Sequence, residues 1–280
     1  MQRPLPQLRH HLRSVHRSLW MFVLLLAANL DFRLRRPRSG AEGAIRIQTW
    51  CRRILDAMGL SIRVTGALPR DGAVVSNHLS YLDILLYSAI RPFVMVAKRE
   101  VRSWPLLGWL TAQAGTVYVE RGGHPSTYPA VNQAMAEAYR SGLPVLFFPE
   151  GTTTNGSEVL LFRRGLFHSV LNNHVPLRTA ALRYSLDENF AKENGHATVA
   201  DHVCWWGDAY LGPHLFRCLG LRGLHAEIHF DDHVVTGLDR FLLSENARAA
   251  VAARYAAQDP TAQPAPDPFP ICETELAQAL

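Results

Sequence analysis

The pair in this chain best suited to acid–base chemistry is a histidine five residues ahead of an aspartate: His78 and Asp83 in Ser76-Asn77-His78-Leu79-Ser80-Tyr81-Leu82-Asp83. An imidazole titrates near neutrality, and a carboxylate that holds its ring makes it a base for a hydroxyl group. On a continuous helix a spacing of five puts two side chains about 140° apart. They meet only if His78 sits in a turn and Asp83 on the first turns of the following helix. Ser80 is expected to cap that helix, with Asp83 at its third position, where a carboxylate could equally just complete a capping box. With 13 histidines and 12 aspartates, chance supplies roughly half of one such pair, and a second, His196 with Asp201, does occur. Context separates them, because the apolar run 73–75 leads straight into His78 and no such run precedes His196.

Two more segments end apolar runs. Residues 145–148 lead into Pro149-Glu150-Gly151-Thr152-Thr153-Thr154-Asn155, where Gly151 permits close backbone approach and the hydroxyls offer donors to a phosphate or carbonyl. The same residue types also make ordinary turns. In Gly115-Thr116-Val117-Tyr118-Val119-Glu120-Arg121 an arginine follows a third run, but with 27 arginines and two lysines in the chain one arginine carries little weight alone.

The elements that must position these residues alternate. Short β-rich runs at 73–75, 93–97, 116–119, 145–148, 179–183, 203–206 and 226–230 are separated by helix-like stretches such as 104–113 and 130–140, and 244–257 reads as an alanine-rich helix. Alternation of this kind predicts an α/β fold, a mostly parallel sheet covered by helices. Ligands of such sheets sit beyond the carboxyl ends of the strands, where all three segments fall. Ahead of the sheet, residues 45–58 carry apolar side chains at helical spacing and stop at Gly59, an amphipathic helix that could pack on the body or lie on lipid. Three parts are expected: an N-terminal membrane-associating helical segment (1–59), the α/β domain (60–258) and an extended tail (259–280) with five prolines in 259–270.

Charge is unevenly distributed. The net +5 of the 280 residues hides an N-terminal 38 residues at +7 and a remainder at −2. Nucleic-acid binding would need basic residues interleaved with aromatics along a groove. Here they flank an apolar run of twelve residues, 19–30, with Arg17 before it and Arg33, Arg35 and Arg36 after it. Twelve residues fall short of the ~20 that span a bilayer, so the run is expected to insert at the interface while the arginines reach phosphates. A membrane surface is therefore the expected partner, and nucleic acid is not. The four cysteines are scattered, as suits a reducing compartment, and Cys204 beside Trp205-Trp206 reads as buried and inert. His225, His229 and His233 have a metal-binding spacing only on a helix, and their segment looks extended. No phosphate-loop or dinucleotide motif is present.

Together these segments resemble the glycerolipid acyltransferase family, best known for its lysophosphatidic acid acyltransferases. Its N-H-x-x-x-x-D motif stands here as Asn77, His78 and Asp83, and its second as Gly115, Tyr118, Val119 and Arg121. F-P-E-G-T is intact from Phe148 to Thr152, and an apolar-proline motif corresponds to Val175-Pro176. The resemblance runs over residues 60–185 in the family's order. It implies His78 as general base on the acceptor hydroxyl and Asp83 as its support. Arg121, Glu150, Gly151 and Thr152 would hold the head group. The acyl donor would be acyl-CoA or acyl carrier protein, and no metal or other cofactor would be needed. The leading expectation is formation of phosphatidic acid from lysophosphatidic acid at the cytoplasmic face of a membrane. Another lysolipid, a lysophospholipid or lyso-ornithine type, is the alternative acceptor, and a silent lipid binder on the same fold is the third reading. One departure bears on the acceptor. Many family members continue F-P-E-G-T with arginine and serine, whereas Thr153-Thr154-Asn155 follow here, so either Arg121, Lys98 or the Arg163-Arg164 pair supplies the charge, or the site takes a head group with less negative charge.

Overall fold

The computed structural model describes residues 4–120, 128–193 and 197–258. Arg121, His196 and the proline-rich stretch therefore lie outside the described residues. Seven strands, β1 (Ser61–Gly66), β2 (Ala73–Ser76), β3 (Val94–Lys98), β4 (Val117–Val119), β5 (Val145–Phe147), β6 (Leu177–Leu186) and β7 (Leu224–Phe230), form one sheet in the order β1-β7-β6-β2-β5-β3-β4. All neighbours are parallel except β6 and β7. The mostly parallel α/β architecture is thus as the sequence indicates.

Burial explains the strand texts. β2 and β5 lie in the middle of the sheet and are buried along their whole length, so they read as unbroken apolar runs. β7 is covered on one face, and Leu224, Ala226, Ile228 and Phe230 alternate inward. β1 is an edge strand with little burial, and its sequence carries no clear strand pattern.

One expected strand is absent. Residues 203–206 follow the short helix α8 (Val199–His202) as irregular chain. Their polar groups are satisfied locally instead of by a neighbouring strand. Trp205 N–H donates to Leu79 O (2.8 Å), the two indoles donate to Ala209 O and Ala200 O, and Cys204 O accepts from His214 Nε2 (2.9 Å). Similarly, the helix expected from residue 104 begins later as α4 (Leu107–Gln113), because Leu106 adopts φ +62° ahead of it.

Two N-terminal helices pack on this body. α1 (Pro4–Leu34) is much longer than its apolar run, and Gln7–Leu34 is long and apolar enough to cross a membrane by length and composition. Ser14, Ala28, Asn29 and Phe32 are nonetheless buried, so one face of the helix is held against the protein. The opposite face exposes Leu12, Val15, Leu19, Phe22, Leu26 and Leu30 at helical spacing. α2 (Gly40–Met58) starts at Ser39, whose hydroxyl accepts from Glu42 N–H, and ends at Gly59 in the left-handed region. Its apolar face packs on α1 and on α3 (Leu82–Ile90).

Arg17 does not reach toward a membrane. It donates to Leu219 O (3.1 Å) and Leu221 O, and Arg13 donates to Gly220 O (3.0 Å), at the end of α9 (Leu211–Leu219). The last carbonyls of a helix lack partners of their own, and two arginines from α1 supply them. Arg33 lies over the Trp109 ring. Arg17→Met keeps the apolar stem but strips those carbonyls of a charged donor. It is expected to lower the unfolding free energy by about 1–3 kcal/mol in urea titration. An unchanged midpoint would mean that water serves those carbonyls as well.

Candidate active site

β2, β3, β4 and β5 all end on the same side, and the site gathers there. β2 stops at Ser76, and the Asn77 side chain continues its pairing with β6, donating to Leu182 O and accepting from Leu182 N–H (both 2.8 Å). This fixes the turn that carries His78. His78 Nδ1 lies 2.7 Å from Asp83 Oδ2. The same oxygen accepts from Leu79 N–H (2.7 Å) and Ser80 N–H (3.0 Å), and Tyr184 OH donates to Oδ1 (2.6 Å). Asp83 is fully buried, and these four donors compensate its charge.

The helix cap differs from the expected one. α3 begins after Tyr81, and the buried Ser80 hydroxyl has no hydrogen-bond partner among the described residues. Asp83 does receive the Ser80 N–H, as half of a capping box would have it, and holds His78 as well.

Glu150 is the second buried acid. Oε1 accepts from His78 N–H (2.7 Å) and Oε2 from Leu160 N–H (2.9 Å). Burial pushes its carboxyl up to about 7, with the Asp83 charge adding to the rise and the two backbone donors opposing it. The F-P-E-G segment thereby grips the turn of the N-H-x-x-x-x-D segment, and Thr154 N–H donates to His78 O (3.0 Å) as a second tie. The His78 ring stacks on Phe148 with centroids 4.1 Å apart and an 11° tilt. Tyr184 lies in β6, a hundred residues from His78, and no local pattern marks it. Burial and the Asp83 charge hold its hydroxyl far above the ordinary tyrosine range, so it stays a donor.

His78 lines a cavity of about 700 Å³. Gly151, Thr152, Lys98, Glu120 and Arg163 also face it, whereas Glu150 sits behind the wall with both oxygens bound. Among the basic residues weighed for a head group, Lys98 pairs with Glu100 (2.8 Å), and Arg164 turns to Glu245 (3.7 Å) and the Phe241 ring. The Arg163 guanidinium lies against the backbone of Gly151 (φ +72°), where a Cβ would collide with it. Val175-Pro176 lies elsewhere. Pro176 O accepts from Ala73 N–H, at the amino end of β2 and thus opposite the site.

The remaining candidates are accounted for. Burial pushes the Cys51, Cys204 and Cys218 thiols up to about 12, which leaves them weak nucleophiles. His225 and His229 lie on strand β7, against Ser61 and Thr65, and no group of metal-ligating side chains is found among the described residues.

The family model described as Acyltransferase matches residues 61–183. The solved structure of the 1-acyl-sn-glycerophosphate acyltransferase PlsC from Thermotoga maritima superposes with a TM-score of 0.60, covering 88% of this chain and 96% of that one. At 16% identity this shows a common fold. A lyso-ornithine lipid O-acyltransferase of Pseudomonas aeruginosa is 36% identical over 233 residues, 81% of this chain and 85% of that protein. A 1-acyl-sn-glycerol-3-phosphate acyltransferase of Neisseria gonorrhoeae is 34% identical over 174 residues, 61% and 67% of the two chains. The chain belongs to the glycerolipid acyltransferase family and is an O-acyltransferase acting on a lysolipid.

Glu150 gives a pH test. In the unfolded chain its carboxyl titrates near its ordinary 4.5, and in the native protein near 7. Between those values the native state binds more protons, so Glu150 lowers stability as pH rises through that window and adds no further slope above it. Urea unfolding of Glu150→Gln is expected to lose less stability than wild type from pH 4.5 to 7. Parallel curves would show that the burial cost is relieved another way.

Proposed function

We propose that this enzyme moves an acyl group from acyl-CoA or acyl carrier protein to the free hydroxyl of a lysolipid, with His78 as general base and no cofactor. The observation that supports this most is the His78–Asp83 pair on the cavity wall. With Nδ1–H given to Asp83, Nε2 is the nitrogen available to an acceptor. It takes the hydroxyl proton as the oxygen attacks the thioester carbonyl carbon. The C–S bond then breaks, and the imidazolium returns the proton to the departing thiolate. Asp83 stabilises the imidazolium in between. A thioester is already activated, so the steps balance without a metal.

Arg163 is the residue we assign to the acceptor's negative charge, since its fork sits at Gly151 on the cavity and has no ion pair among the described residues. Between the two acceptors named for relatives, the lyso-ornithine type is the better supported. The cavity wall carries Glu100 and Glu120 beside Lys98, Arg163 and Arg240, and such a mixed lining suits a head group with both a carboxylate and an amine. The Pseudomonas relative also matches more of both chains than the Neisseria one does. Lysophosphatidic acid is the second reading, favoured by the Neisseria relative. The exposed stripe of α1, with the +7 arm around it, would lie in the cytoplasmic leaflet's interface. The packed opposite face ties the helix along the body.

Lipid mass spectrometry after incubation with labelled acyl-CoA and a lysolipid panel tests this. His78→Ala should lose about 10²–10⁴-fold in turnover and Asp83→Asn should fall in the same direction. Retained turnover in His78→Ala would exclude the assigned base. Arg163→Ala should raise the acceptor KM about tenfold to over a hundredfold, as expected for a lost charged hydrogen bond. The donor KM should stay put, and an equal rise in both would move Arg163 from head group to donor.

A further inference from the structure

Three segments that line the cavity also carry exposed apolar side chains. Arg163 comes from the loop after F-P-E-G-T, Trp206 and Gly207 from the loop after α8, and Arg240 from the start of α10 (Arg240–Ala257), and all four line the cavity. The first segment is bound to both others, and the Thr153 hydroxyl donates to Trp205 O in the loop after α8. Arg248 donates to Val159 O and Leu160 O, and the Arg164 and Arg240 guanidiniums both cover the Phe241 ring. Their other side chains face water to an unusual degree. Outside α1, the three most exposed large apolar residues among those described are Leu238 (96%), Tyr210 (82%) and Leu161 (78%), and all three belong here. Trp206, Phe241 and Leu242 are exposed beside them.

We propose that this rim is a lipid-docking surface, separate from α1, that seats the cavity mouth on the bilayer. An acyl chain partitions into a bilayer by roughly fourfold per methylene, so a lysolipid and its two-chain product exchange with the cavity readily only where its mouth touches lipid. An apolar rim sharing Arg163, Trp206 and Arg240 with the cavity meets that need. Tryptophan and tyrosine suit the interface, and the arginines can reach phosphates around the leucines. The acids nearby balance the arginines. Asp239 caps α10, Glu245 pairs with Arg164, and Glu158 and Asp208 remain. The rim is close to neutral, so its attraction is apolar and does not select anionic lipid, in contrast to the N-terminal arm. The proposal takes from the preceding subsection only that the acceptor is a lipid, not which one.

The full-length double variant Leu161→Ser/Leu238→Ser changes two side chains that lie outside the cavity. On lysolipid embedded in phosphatidylcholine vesicles its kcat/KM should fall more than tenfold, with or without added phosphatidylglycerol and at low or high salt. On a short-chain, water-soluble lysolipid it should match wild type. A nitroxide placed by Leu238→Cys, with Cys272→Ser, should gain access to oxygen and lose access to a water-soluble nickel chelate when vesicles are added. That second measurement needs no turnover, so it stands even if every acceptor tested is the wrong one. A nitroxide that stays water-accessible on vesicle-bound protein would overturn the proposal, as would wild-type rates of the double variant on vesicles. Burial of the label without vesicles, rising with protein concentration, would assign the rim to a second copy of the chain and likewise overturn it.

Discussion

A carboxylate with no exposed surface is costly unless it is fully bonded, and Asp83 meets that condition only in the folded site. Its two oxygens take one bond from the His78 ring, two from the backbone of the turn and one from Tyr184 in β6. No stretch of chain offers all four donors alone. The turn must close, α3 must start where it does, and β6 must run beside β2. The constraint that orients the imidazole is therefore the one that fixes the turn, and disturbing any donor leaves a buried charge short.

Glu150 repeats the arrangement from the other side. It closes on His78 N–H and Leu160 N–H, so two buried acids, one from the start of α3 and one from the turn after β5, brace a single turn. They differ in what surrounds them. Asp83 has four donors, while Glu150 has two. Burial pushes the Glu150 carboxyl up to about 7, and the nearby Asp83 charge adds to the rise. A motif glutamate adjoining a glycine reads naturally as a ligand for substrate. In this fold its neighbours Gly151 and Thr152 face the cavity and Glu150 faces inward.

How much of this the sequence disclosed follows from range. His78, Asp83, Gly151 and the parallel sheet were legible because motif spacing and apolar runs are local signals. Tyr184 was not, since its partner lies a hundred residues away and a tyrosine in a strand is ordinary. Arg17 misled for a related reason. Next to an apolar run an arginine suggests snorkelling, and only the arrival of α9 shows that carbonyls at 219 and 221 claim it. Residues 203–206 misled because Val-Cys-Trp-Trp has the composition of a buried strand, and composition does not say whether a neighbouring strand is there to pair with it.

That last segment shows what the sheet alone could not build. The cavity needs a wall beyond the strand ends, where no ladder can hold chain in place. The 204–207 loop forms part of that wall, held by Leu79 O and the Thr153 hydroxyl from the site turns and by His214 from α9. His214 is buried, and because Nε2–H goes to Cys204 O its Nδ1 must accept, which it does from Tyr81 OH (3.1 Å). Tyr81 itself faces the cavity two residues before Asp83. α9 is in turn secured by Arg13 and Arg17 of α1. The wall is thus tied to α1 by a continuous run of hydrogen bonds and packed rings, and the N-terminal helices belong to the architecture of the site.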